Sequence, residues 1–135
     1  MGFAPQFAAR IDSRNGIANI ALSGELDMAT VPMLNGYLAQ FEGDGVTAIM
    51  LDLREITFLD CSALHAFLAA RDRAKTNGQR LILIGASPVA GRLFALTDTE
   101  FLIDDQEAAS VLDRFTGDQT RRAGQTAIAE VHAHV

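Results

Sequence analysis

The stretch Asp60-Cys61-Ser62-Ala63-Leu64-His65 gathers the side chains of this chain best suited to chemistry. A helix opening there puts Asp60 at the N-cap, Cys61 at the first helical position and Ser62 at the second. The unpaired amides and the dipole of a helix start favour negative charge. A phosphate on Ser62 would therefore be tolerated by its own helix, while adding about −1.5 to −2 charge and three acceptor oxygens. The adjacent Asp60 partly opposes that phosphate, and a partner packed closely on the helix start would meet bulk and desolvated like charge and would be expelled. The plainer alternative is ordinary helix-start composition, and spacing alone favours it.

Other chemistries lack parts. Ser62 and His65 lie three apart on one helix, but a serine–histidine pair also needs an orienting acid and an oxyanion hole, and Asp60 is better used as a cap. The chain contains no Walker phosphate loop, no GxGxxG, no GxSxG elbow and no HExxH. His132 and His134 alternate near the C-terminus without a fixed third ligand, so no metal site and no cofactor are expected. Cys61 reads as a small buried filler rather than a redox sensor. Arg71, Arg73 and Lys75, with Asp72 among them, read as a solvated helix face. Met28 and Met33 flank the first helix and read as gap-fillers.

The elements that position these residues follow from periodicity. Partial alternation over 6–12 and 17–23, around the turn signal Asn15-Gly16, predicts a hairpin, with Ser23-Gly24 stopping its second strand. Val31, Leu34, Leu38 and Phe41 make a helical stripe, capped by Thr30, with Pro32 in the first turn. Residues 46–53 are almost continuously apolar, as in a strand covered on both faces, and 54–60 form a connector. A helix over about 61–76 carries Leu64, Phe67, Leu68 and Arg71 at helical spacing, and Asn77-Gly78 stops it. A strand over 81–84 follows, then a helix opened by Ser87-Pro88 and lined by Val89, Leu93 and Leu96. A short strand over 101–103 and a helix over 106–115 complete the order β-β-α-β-α-β-α-β-α. That order predicts an α/β single domain: a mixed, mostly parallel β-sheet with an N-terminal hairpin and about four helices. Polar residues from 117 onward predict a flexible C-terminal tail over 117–135.

With the elements placed, a resemblance becomes visible. Leu22-Ser23-Gly24-Glu25-Leu26-Asp27 before the first helix, then residues 50–68 with Asp60-Cys61-Ser62 at a helix start, resemble the STAS family of anti-sigma factor antagonists. The resemblance covers most of 5–116, which defines the expected STAS domain. By position Asp60 matches the family's motif aspartate, Cys61 its first serine and Ser62 its phosphorylatable residue, while Ala63 stands where the family usually has glycine. The resemblance implies a non-enzymatic regulator. Its unphosphorylated form would bind an anti-sigma factor serine kinase and release a sigma factor, phosphorylation of Ser62 would switch it off, and a PPM-type phosphatase would reset it. Glu25, Asp27, Asp60, Cys61 and Ala63 would then face the partner.

Composition agrees. The 135 residues make one domain's length, and 49% hydrophobic with 21% charged is an ordinary globular balance. With 11 basic and 17 acidic side chains the net charge is −6, a poor footprint for nucleic acid or an anionic membrane. One cysteine, no basic-then-apolar leader and no long apolar run point to a cytoplasmic protein. Two other readings compete. One keeps the STAS fold as a sensor or scaffold for a small ligand or another STAS protein. The other is a phospho-aspartate receiver, which Ser23-Gly24 and Asp104-Asp105 contradict because paired acids and a lysine belong there. Oligomeric state is not readable from the sequence.

Overall fold

The structure, a computed structural model, describes the backbone of residues 6–43, 45–103, 105–121 and 129–133, and the side chains of 6–43, 45–103 and 106–117. Strands β1 (Phe7–Arg14) and β2 (Ile17–Leu26) form the expected hairpin. Asn15 and Gly16 join them at φ 56° and 74°, the left-handed pair that a tight hairpin turn requires. The chain continues through α1 (Val31–Ala39), β3 (Ala48–Leu59), α2 (Cys61–Thr76), β4 (Arg80–Ile84) and α3 (Pro88–Leu96). A single 3-10 turn (Glu100–Leu102), α4 (Asp105–Arg121) and β5 (Ala129–Ala133) follow. The sheet order is β4-β3-β2-β1-β5, with β2, β3 and β4 parallel and β1 antiparallel to both its neighbours. The α/β class, the mixed sheet, the hairpin and the four α-helices are those expected.

Strand parity divides the core in two. Ile11, Ile20, Leu51 and Leu83 point to one face, where Leu34, Leu38, Phe67 and Phe94 of α1, α2 and α3 cover them. Ile17, Ala48, Met50 and Ile82 point to the other, under Ala108, Val111 and Phe115 of α4. Covering both faces is why 46–53 reads as an almost continuous apolar run, interrupted by Thr47 and Asp52.

Three boundaries differ from expectation. Residues 54–59 are not a connector: β3 runs on to Leu59, with Glu55 opposite Ser23 and Phe58 opposite Glu25. β4 ends opposite Asp52, so this extension is uncovered on one edge and carries polar residues. Residues 101–103 are not a strand, because Glu100–Leu102 is a 3-10 turn and a single bridge joins Ile103 to Leu83. The last helix outruns 106–115, and Phe115 is its last buried residue among those whose side chains are described. The tail reading of 117–135 is amended accordingly: α4 continues to Arg121, and Ala129–Ala133 pairs with β1. Residues 122–128 and 134–135 lie outside the described residues.

Gly24 does not stop β2. Register shifts flank it, and it takes φ +92° within the strand. There the Glu25 amide donates to the Gln6 carbonyl at 2.5 Å, and a Cβ on Gly24 would collide with that same carbonyl oxygen. The glycine is therefore required by conformation and by close approach. Gly24→Ala is expected to destabilise the domain by about 2 kcal/mol or more, measured by urea or thermal denaturation. A loss of less than about 0.5 kcal/mol, the range of neutral surface changes, would contradict this account of the bend.

Candidate functional site

Asp60 joins β3 to α2. Its backbone is extended, and its carboxylate accepts from the Ala63 amide at 3.2 Å, the expected N-cap bond. Its own amide donates to the Leu26 carbonyl at 3.3 Å. With Glu25 opposite Phe58 and Leu26 opposite Leu59, segments 25–27 and 58–62 emerge side by side. They do so at the carboxyl ends of the parallel strands, where α/β sheets commonly meet ligands and partners.

The inward stripe of α2, including Ala63, Leu64, Phe67, Ala70 and Ala74, is buried. Phe67 meets Phe94 with ring centroids 6.4 Å apart. With that stripe fixed, Ser62 is left partly exposed, and Cys61 and His65 are exposed. Cys61 is thus not a buried filler, because the first helical position projects away from the core. Ala63 is 0% exposed, which corrects its placement on the partner surface: its methyl group points inward. Ser62 and His65 share no hydrogen bond, so no nucleophile–base pair is assembled.

Asp27 holds the neighbouring loop. Its Oδ1 accepts from the amides of Ala29 and Thr30 at 2.9 and 3.1 Å. Thr30 makes no side-chain cap bond for α1, contrary to expectation. Its hydroxyl instead donates to the Glu25 carbonyl and accepts from the Asp27 amide, each at 2.9 Å. Glu25 is exposed on the loop these bonds fix. Two apolar side chains on this surface escaped sequence reading. Met28 is 76% exposed, not a gap-filler, and Phe58 is 46% exposed. The available signal was a phenylalanine set between a threonine and the strand's last buried leucine.

Asp52, the strand carboxylate a receiver would use, is committed to Arg54. The guanidinium donates to it through Nε at 3.1 Å and Nη2 at 2.6 Å, and this pairing raises the Arg54 pKa above its ordinary value. Burial raises the phenol of Tyr37, in the core under β1. Among the described residues no group of three or more His, Cys, Asp or Glu is placed to hold a metal. The side chains of His132 and His134 lie outside that set. No helix among the described residues is long and apolar enough to cross a membrane.

Among the described residues, the strand-end surface of this α/β domain brings together a serine, carboxylates and exposed apolar groups. The STAS domain family profile matches residues 8–110, and the chain belongs to that family. It is 30% identical over 92 residues to an anti-sigma-B factor antagonist of Staphylococcus aureus, covering 68% of this chain and 85% of the relative. The anti-sigma factor antagonist SpoIIAA in its unphosphorylated form shares the fold, with TM-score 0.66 and 23% identity over 82% of this chain and 97% of that one. The Bacillus cell fate determinant SpoIIAA in its phosphorylated form matches with TM-score 0.59 and 21% identity, over 78% and 99% of the two chains.

Asp60→Ala removes the N-cap bond and is expected to cost about 1 kcal/mol in urea denaturation, with Asp60→Asn retaining most of it. Equal stability of all three proteins would remove the cap from this description.

Proposed function

We propose that the chain is an anti-sigma factor antagonist switched by phosphorylation of Ser62. Unphosphorylated, it binds an anti-sigma factor that is itself a serine kinase, and so frees the sigma factor. A PPM-type phosphatase restores the binding form. The protein acts in the cytoplasm by docking and carries no catalytic activity of its own. The observation that carries this reading is Ser62, partly exposed at the first turn of a helix whose opposite stripe is buried. A phosphate there changes the surface and leaves the core alone. The names of the relatives support the class, and a protein of this fold solved in both phosphorylation states supports the switch.

The partner surface runs from Glu25 and Asp27 through Met28 and Phe58 to Asp60, Cys61 and Ser62. Exposed methionine and aromatic groups supply apolar contact at interfaces, and the carboxylates set orientation and association rate. A phosphate added within such a contact loses its water without gaining a matching cation, so the complex comes apart.

One observation favours a second reading, a STAS module that binds a small ligand. A cavity of about 490 Å³ lies on the half of the sheet that α4 leaves open, lined by residues that include Ala21, Ser23, Asp52, Arg54 and Glu55. The two readings separate on whether Ser62 carries phosphate in the native cell.

Incubation with the cognate kinase and ATP is expected to give one phosphoserine by mass spectrometry, absent in Ser62→Ala. Ser62→Asp is expected to bind the kinase at least about tenfold more weakly, a difference of roughly 1.4 kcal/mol. Undiminished binding by Ser62→Asp would overturn the charge-expulsion mechanism.

A further inference from the structure

At the far end of α2 from Ser62, roughly 20 Å away at 1.5 Å per residue, lies a second concave site. It is a cavity of about 190 Å³ lined by Arg71, Lys75, Gln79, Arg80, Leu81 and Glu107. At about 30 Å³ per water it holds some six waters' worth of space, enough for a small polyatomic ion and too little for a drug-sized ligand. We infer that this cavity binds hydrogen phosphate, held by Arg71, Lys75 and Arg80.

Charge is the first argument. The chain carries a net charge of −6, yet three cations meet here against one carboxylate, and Glu107 is already paired with Arg80. Arg71 and Lys75 stand four apart on α2, an arrangement of like charges that is unfavourable by itself. Lys75 makes no ion pair or side-chain hydrogen bond among the described residues. Arg71 lies 5.3 Å from the centroid of the Phe101 ring. Stacking engages the face of a guanidinium and leaves its in-plane N–H donors for an oxyanion. Arg73, which breaks the row, is turned to Glu42 at 2.9 Å and takes no part.

Gln79 selects among anions. Its Nε2 donates to the carbonyls of Phe41 and Val46 at 2.8 and 2.7 Å, which fixes the amide. Its Oε1 is buried with no hydrogen-bond partner, and the residue is only 5% exposed. An orphaned acceptor beside a cationic cavity is served by an anion that still carries a proton. Hydrogen phosphate gives acceptor oxygens to the cations and one O–H to Oε1, whereas sulfate at neutral pH has acceptors only. Oε1 is inaccessible in this structure, so its pairing with the ion requires the long side chains of the wall to move aside.

The test is an amide NMR titration of the full chain with sodium phosphate at pH 7, with sodium chloride holding ionic strength constant. Saturable shifts confined to the amides around 71–81 and 107 are expected. Sodium sulfate is expected to bind at least about fivefold more weakly, because it leaves Oε1 unpaired. Lys75→Gln, at an exposed position, is expected to weaken phosphate binding roughly tenfold, and Lys75→Gln with Arg71→Gln to abolish saturation. Spectra of the variants unchanged elsewhere verify the fold. Shifts that rise linearly without saturating, that survive in the double variant, or that sulfate reproduces at equal concentration would overturn the assignment.

Discussion

Asp60 is engaged from two sides, and the geometry of the strand-end surface depends on both contacts. Its amide is tied to the end of β2 through the Leu26 carbonyl, while its carboxylate fixes the first turn of α2 through Ala63. A carboxylate at an N-cap satisfies one orphan amide and sits favourably in the dipole field, worth about 1 kcal/mol. The geometric consequence is larger than the energetic one. The loop bearing Glu25 and Asp27 and the helix start bearing Cys61 and Ser62 leave the sheet at a fixed separation. Neither can move without breaking a bond to the other.

Below that surface the stripe from Ala63 to Ala74 is pinned between sheet and neighbouring helices. Core burial at about 25 cal/mol per Å² of apolar area far exceeds what one surface charge can perturb. A charge added at the partly exposed Ser62 would thus leave the packing of the core in place. The same helix also sorts charge along its axis: Asp60 lies at its start, and Arg71, Arg73 and Lys75 lie in its last turns. Asp60 and these three cations sit where the dipole favours them, and Asp72 among the cations is the exception. The two ends of this one long helix therefore differ in charge, with Asp60 at its start and a cationic cluster at its far end.

The fold was legible because its strongest signals are local. Asn15-Gly16 dictates a tight turn, 48–53 is apolar enough to demand cover on both faces, and Ser87-Pro88 opens α3 with the predicted cap, Ser87 Oγ accepting from the Ala90 amide at 3.4 Å. Signals that depend on what lies beside an element were not legible. Arg54, Glu55 and Thr57 look like a loop because β4 stops opposite Asp52, a fact no local window contains. In the site, the N-cap role of Asp60 could be read from residue type and position. The exposure of Met28, Phe58 and Cys61 could not, since apolar side chains are assigned inward by default and only the packed neighbours decide otherwise.

Ala63 joins these two levels. Relative to the glycine common in the family, its methyl group adds helix propensity of up to about 1 kcal/mol and stiffens the first turn. Had that methyl faced outward, it would stand between the backbone and an approaching protein. It faces inward, fully buried against the core cluster, so the substitution acts on packing and on the rigidity of the helix start. The side chains exposed on this surface are Cys61 and His65 on α2 and Met28 and Phe58 on the adjoining segments. On the proposed function, recognition of Ser62 would rest on those side chains and not on the backbone freedom that a glycine would have given.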